Sequence, residues 1–170
     1  KPKPWNKEEN VSSATMENVV KGLRGAFGKV AANRGAAGPD GKSVQEVRVH
    51  LDKLLSQLER ELLDGTYQPG DIRRVWIPKG SDGQRGLGIP NVVDRVVQEA
   101  VRAVIEGQYE PSFHEGSHGF SPGRSCHTAI ERARAFVAEG YDWVVDLDLE
   151  KLFDKVNHQR LLARLNARVS

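Results

Sequence analysis

Cysteine is almost missing from this chain. Cys126 is the single one, so no internal disulfide can form and no cysteine-based zinc cluster can be built. A lone thiol fits a reducing compartment, and a cytoplasmic, intracellular setting is expected. Long apolar runs are missing too. None approaches the ~18–20 residues that a membrane-spanning helix needs, so no membrane role is expected. The opening Lys1-Pro2-Lys3-Pro4-Trp5 lacks the apolar run of a signal peptide. There is no excess of one charge either: 25 Lys and Arg stand against 23 Asp and Glu. Bulk charge therefore says little about partners, and the placement of charge has to carry the argument. Repeats and low-complexity segments are also absent.

What is present is a chain of alternating periodicities, sized for one domain or part of a larger enzyme. Residues 1–12 are polar and rich in Pro and Lys, a flexible lead-in. Ser13 can cap a helix from about Ala14 to Asn33, with Val19, Leu23, Phe27 and Val30 at helical spacing. A loop follows, Gly35-Ala36-Ala37-Gly38-Pro39-Asp40-Gly41. Ser43 to Glu46 has capping-box spacing and opens one helix that carries Leu51, Leu54, Leu55, Leu58 and Leu62 inward to Gly65. β-type residues from Ile72 to Pro78, a turn at Ser81-Asp82-Gly83 and a return from Arg85 to Ile89 predict a hairpin over 72–89. Asn91 can cap a helix with Val93, Val97, Ala100, Val101, Val104 and Ile105 inward. After an irregular stretch, Ser125 can cap a helix to Glu139 with Ile130, Ala133 and Val137 inward. A strand is predicted at 141–149, and Asn157 can cap a last helix carrying Leu161, Leu162 and Leu165.

Three segments could carry chemistry. In the predicted strand, alternation places Trp143, Val145, Leu147 and Leu149 on one face and Val144, Asp146 and Asp148 on the other. Carboxylates at a strand end are suited to magnesium, which takes hard oxygen ligands and keeps positions for substrate phosphates. The competing reading is an ordinary solvated strand end. In the hairpin, Arg73, Lys79 and Arg85 are spaced by six residues and can converge on a polyphosphate, Arg bidentate and Lys as a point charge; the plain alternative is a charged sheet edge. Gly116 to Ser125 is a permissive loop leading into a helix N-terminus, where a phosphate could meet free N–H groups. His114, His118, His127 and His158 lack metal-ligand spacing, and Cys126 is expected to be a small packed residue.

Taken in order, these segments resemble the group II intron reverse transcriptase/maturase family. The resemblance is carried by Asn33 to Gly41, Arg73 to Lys79, Arg85 to Gln98, His118 to His127, and Asp148 to Asp154 with His158, and it covers roughly residues 15–168. It implies an α/β fold of α+β type: a fingers subdomain over 13–140 and the beginning of a palm over 141–170, truncated before the second catalytic block. It implies that Asp148 is the first catalytic, metal-binding aspartate, with the Leu149 carbonyl helping to hold one of two Mg2+ ions. Asp146 ranks below Asp148. Lys79 and Arg85 would grip the triphosphate of an incoming dNTP. The ring of Phe153 would lie under its sugar and disfavour a 2′-hydroxyl. Arg73, Arg74, Arg95 and Arg124 would contact nucleic acid. The implied partners are an RNA template, a DNA primer and intron RNA.

Two departures stand out. Gly86 replaces the usual proline and is expected to loosen the hairpin. Ser121 replaces a frequent arginine and is expected to remove a nucleic-acid contact. Without the second acidic block, the piece itself is expected to be inactive as a polymerase. Other readings stay open: a non-catalytic RNA-binding module that assists splicing, a reverse transcriptase of a bacterial defence system, or a fingers surface that forms a homodimer.

Overall fold

The computed structural model describes residues 14–80 and 83–167; Ser13, Ser81 and Asp82 lie outside them. The described chain is mixed helix with one small antiparallel sheet, and it divides into two compact units, 14–106 and 107–167.

In the first unit, α1 (Met16–Ala32) begins after Thr15 and buries Val19, Leu23, Ala26, Phe27 and Val30, the periodic face read from sequence. The segment expected to be one long helix is two. Ser43 and Glu46 form the reciprocal capping box that opens α2 (Val44–Val49). The chain then leaves helical geometry at His50, whose N–H bonds back to Val47 O at 3.2 Å, a tightened last turn. The His50 carbonyl starts α3 (Leu51–Leu63) by accepting from Leu54. The break lets Val44 and Val47 reach the core from one direction and Leu58 and Leu62 from another. Gly65, at φ 68°, ends α3 in a Schellman arrangement: Thr66 N donates to Glu61 O and Gly65 N to Leu62 O.

α4 (Val92–Tyr109) completes the core with Val92, Val96, Val97 and Ala100. Its inward face is centred slightly differently from the one read in sequence. Val92 and Val96 are 0% exposed, whereas Val93, Val101 and Val104 pack at the margin. Between α3 and α4 the chain makes the expected hairpin, β1 (Arg73–Pro78) and β2 (Gln84–Ile89), paired from Arg73↔Ile89 to Pro78↔Gln84. Pairing runs without interruption through Trp76↔Gly86, so Gly86 does not break the ladder.

The second unit contains a 3₁₀ turn (Glu110–Ser112), α5 (Cys126–Ala138), a short α6 (Leu152–Lys155) and α7 (His158–Asn166). Ser125 caps α5 through a capping box with Thr128, and Asn157 caps α7 by accepting from Arg160 N. The faces expected to turn inward do not: Ile130 is 58% exposed, and Val137, Leu161 and Leu162 are also exposed. The expected strand at 141–149 is absent, and the segment is irregular, with Trp143 91% exposed. An apolar stripe records what a helix can bury, and a β-type run records what could pair. Burial and pairing both need a neighbour, and among the described residues none covers these faces.

Candidate nucleic-acid interface

The hairpin register decides which cations share a face. Opposed residues in an antiparallel pair project to the same side, so Arg73, Val75 and Ile77 share a face with Ile89, Leu87 and Arg85. Lys79 N donates to Gly83 O at 3.0 Å, which carries the pairing one step further and places Lys79 on that face too. Arg85 sits opposite Ile77, two residues from Lys79 and four from Arg73. At ~3.3 Å per residue, Lys79 and Arg85 are separated by roughly 7 Å along the strand and Arg73 by about 13 Å. The three therefore do not converge on one point. Lys79 and Arg85 form a pair near the tip, and Arg73 stands at the root. All are exposed, and among the described residues none has an ion-pair partner. Arg74 projects to the opposite face and lies over the Trp76 ring, 5.9 Å from its centroid.

The root of the hairpin is fastened by residues whose roles the sequence reading did not single out. Asp94, nearly buried, accepts from Tyr67 Oη at 2.5 Å, from Gly70 N at 3.2 Å and from Asn91 Nδ2 at 3.1 Å. One carboxylate thus ties the segment leading into β1 to the first turn of α4. Burial, with the bond to Asp94 second, raises the Tyr67 phenol above its ordinary pKa. Asn91 Oδ1 accepts from Asp40 N, bringing the glycine-rich loop to the same corner. At Gly38 a Cβ would lie 2.6 Å from the Asn91 main chain, so no larger residue fits without backbone movement. The spacing Asn91-x-x-Asp94 has the form of a capping box and was the available signal.

Two of the expected nucleic-acid contacts have structural partners. Arg95 is half-buried, and its Nη2 donates to Ala36 O at 2.7 Å. Arg124 Nη1 donates to the carbonyls of His114 (2.8 Å), Ser117 (2.6 Å) and Glu115 (3.2 Å), closing the loop before α5. In that loop Ser121 is buried and its hydroxyl has no partner among the described residues, so this position faces inward. Cys126 is exposed rather than packed, because it occupies the outer side of the first turn of α5; its Sγ lies 3.6 Å from His127 Nδ1.

Asp148 is exposed, and its Oδ1 accepts the N–H of Leu149 at 2.8 Å. Lys151 takes a left-handed conformation (φ 50°), turning the chain into α6, where Phe153 is 88% exposed. The Asp148 carboxylate and the Leu149 carbonyl are hard oxygen donors of the kind magnesium takes. Among the described residues, however, no three metal-binding side chains gather. The donor chemistry fits the ion.

Residues 77–169 match the family described as reverse transcriptase (RNA-dependent DNA polymerase). The chain is 40% identical over 119 residues to the group II intron-encoded protein LtrA of Lactococcus lactis, covering 69% of this chain and 20% of that protein. It is 39% identical over 137 residues to protein YkfC of Escherichia coli, covering 78% and 36%. To the nuclear intron maturase 1, mitochondrial, of Arabidopsis thaliana it is 40% identical over 68 residues, covering 40% and 9%. The chain thus spans about a fifth of LtrA and about a third of YkfC. No helix among the described residues is long and apolar enough to cross a membrane.

Proposed function

The chain belongs to the reverse transcriptase family, in its group II intron reverse transcriptase/maturase branch, and from that premise we propose that it is the nucleic-acid- and nucleotide-gripping front of an RNA-directed DNA polymerase. Residues 13–140 are read as fingers and 141–170 as the start of the palm. The observation that carries the reading is the hairpin: Lys79 and Arg85 paired on one face near the tip, with Arg73 at the root of the same face. Lys79 and Arg85 hold the triphosphate of a dNTP, and Arg73 and Arg74 hold RNA. Arg95 and Arg124 are proposed to serve nucleic-acid binding by shaping the loops around it, since their guanidinium groups already bond to main-chain carbonyls.

In the whole polymerase, a primer 3′-hydroxyl attacks the α-phosphorus of the dNTP and pyrophosphate leaves. Asp148 and the Leu149 carbonyl would hold magnesium, which supplies positive charge to the transferring phosphoryl group. Phe153 is proposed as the ring beneath the sugar. Because no three metal-binding side chains gather among the described residues, the 170-residue chain is expected to bind RNA and not to extend a primer. Binding of single-stranded RNA should weaken with salt, and each of Arg73 and Arg74 replaced by Gln should lower the slope of log K against log salt by about 0.7. Magnesium-dependent primer extension by the purified chain would refute the inactive assignment, and salt-independent binding would refute the cationic grip. The maturase relative favours a second reading, in which the same hairpin holds intron RNA without polymerisation. In that case Asp148→Asn leaves splicing assistance by the whole protein intact.

A further inference from the structure

The hairpin has a second face that the dNTP-gripping assignment does not use. It carries Arg74, Trp76 and Pro78 on β1 opposite Gly88, Gly86 and Gln84 on β2. Two of the three β2 positions have no side chain, so nothing from that strand stands up beside the indole. The six-membered ring lies against Gly86, where a Cβ would come within 3.3 Å of Trp76 Cζ3 and 3.5 Å of Cη2. The ring is thereby held on the strand while 57% of the residue stays exposed. Arg74 borders it at 5.9 Å from the ring centroid, and the described hairpin residues, 73–80 and 83–89, include four cations and no acid.

An exposed large aromatic beside four cations gains nothing for folding alone, because that apolar area is not buried. It suits a flat, π-faced ligand with an attached negative charge. We propose that Trp76, seated on Gly86 and flanked by Arg74, is a stacking platform for an unpaired base of single-stranded RNA, with Arg74 contacting the adjoining phosphate. Base–aromatic stacking tolerates any base, because each has a π-face, so the platform adds affinity without sequence preference. It also gives a use to the glycine at position 86: a Cβ there would sit 3.3 Å from the ring, and the indole would have to shift by a few tenths of an ångström. This inference rests on the reading of the hairpin as a nucleic-acid grip, and the test separates the two.

The test uses the 170-residue chain with Trp5→Phe and Trp143→Phe, which leaves Trp76 as the only tryptophan. Its emission is followed during titration with oligoadenylate RNA and, separately, with an abasic ribose-phosphate oligomer of equal length. The expected result is quenching by oligoadenylate, little quenching by the abasic strand, and affinity about tenfold tighter for the strand with bases. Read by the anisotropy of end-labelled strands, because these variants hold no tryptophan, Trp76→Leu should remove the affinity difference and keep the salt-dependent remainder; Trp76→Phe should restore most of it. Equal affinity for both strands, or equal quenching by both, overturns the platform and leaves the cationic grip standing. Failure of both strands to bind overturns both readings. An emission change that follows protein concentration and not RNA assigns this face to a second copy of the chain, and also overturns the platform.

Discussion

Replacing Asp94 by alanine should unfasten the hairpin from the helical core. The carboxylate accepts three hydrogen bonds, from Tyr67, Gly70 and Asn91, in a nearly buried position. Bonds to a charged group contribute about 1.5–3 kcal/mol each, and a buried donor left without its acceptor costs about 1–3 kcal/mol. Bonds that share one acceptor do not add fully, so Asp94→Ala should cost about 3–5 kcal/mol. At about 0.05–0.15 kcal/mol per residue, the unit spanning 14–106 has roughly 5–14 kcal/mol in all, so the loss is a large share. Asp94→Asn keeps one acceptor oxygen but turns an NH2 group toward donors, and should cost about 2 kcal/mol. Tyr67→Phe, which removes the 2.5 Å bond and keeps the ring, should cost about 1–2 kcal/mol. Urea unfolding at pH 7 measures each value. With a slope of about 1–3 kcal/mol per molar, Asp94→Ala should move the midpoint by at least 1 M. A cost under about 1 kcal/mol, or full additivity between Tyr67→Phe and Asp94→Asn, would refute the fastening argument.

Glu99 offers a pH test. The hydrogen bond from Arg102, helped by Lys29, outweighs burial and holds its carboxyl down at about 2. A depressed acid stabilises the fold fully above its ordinary value near 4.5 and loses that contribution as pH falls through about 2. The partners Arg102 and Lys29 are 48% and 63% exposed, so screening limits the effect to about 1 kcal/mol. Glu99→Gln should therefore be less stable than the parent at pH 7 and equal to it near pH 2, and a constant difference across that range would contradict the assignment. Leu58→Ala, in the core, should cost about 2–5 kcal/mol, whereas Ile130→Ala, on the uncovered face of α5, should stay within about 0.5 kcal/mol in the free chain; thermal melts compare them directly. Arg124→Ala removes the single donor atom that joins three carbonyls, so amide exchange across 113–120 should accelerate while α1 and α3 stay protected.

Local chemistry was legible in the residues themselves. The capping box at Ser43, the caps at Ser125 and Asn157, the hairpin and the buried stripe of α1 all form where short-range patterns placed them, because a cap or a tight turn is decided within a few residues. The order of the motif blocks was enough to point to the reverse transcriptase family, since each block retains its residue types whatever its surroundings. What the sequence could not decide is everything that depends on a distant neighbour. Tertiary contacts turned Asp94 from one more helix-start acid into the tie between the hairpin and α4, and committed Arg95 and Arg124 to carbonyls rather than leaving them as free cations. They set α4's buried face around Val92 and Val96 and left the apolar faces of α5 and α7 and the 141–149 segment exposed. Periodicity states which face of an element is apolar; only packing decides whether anything lies against it.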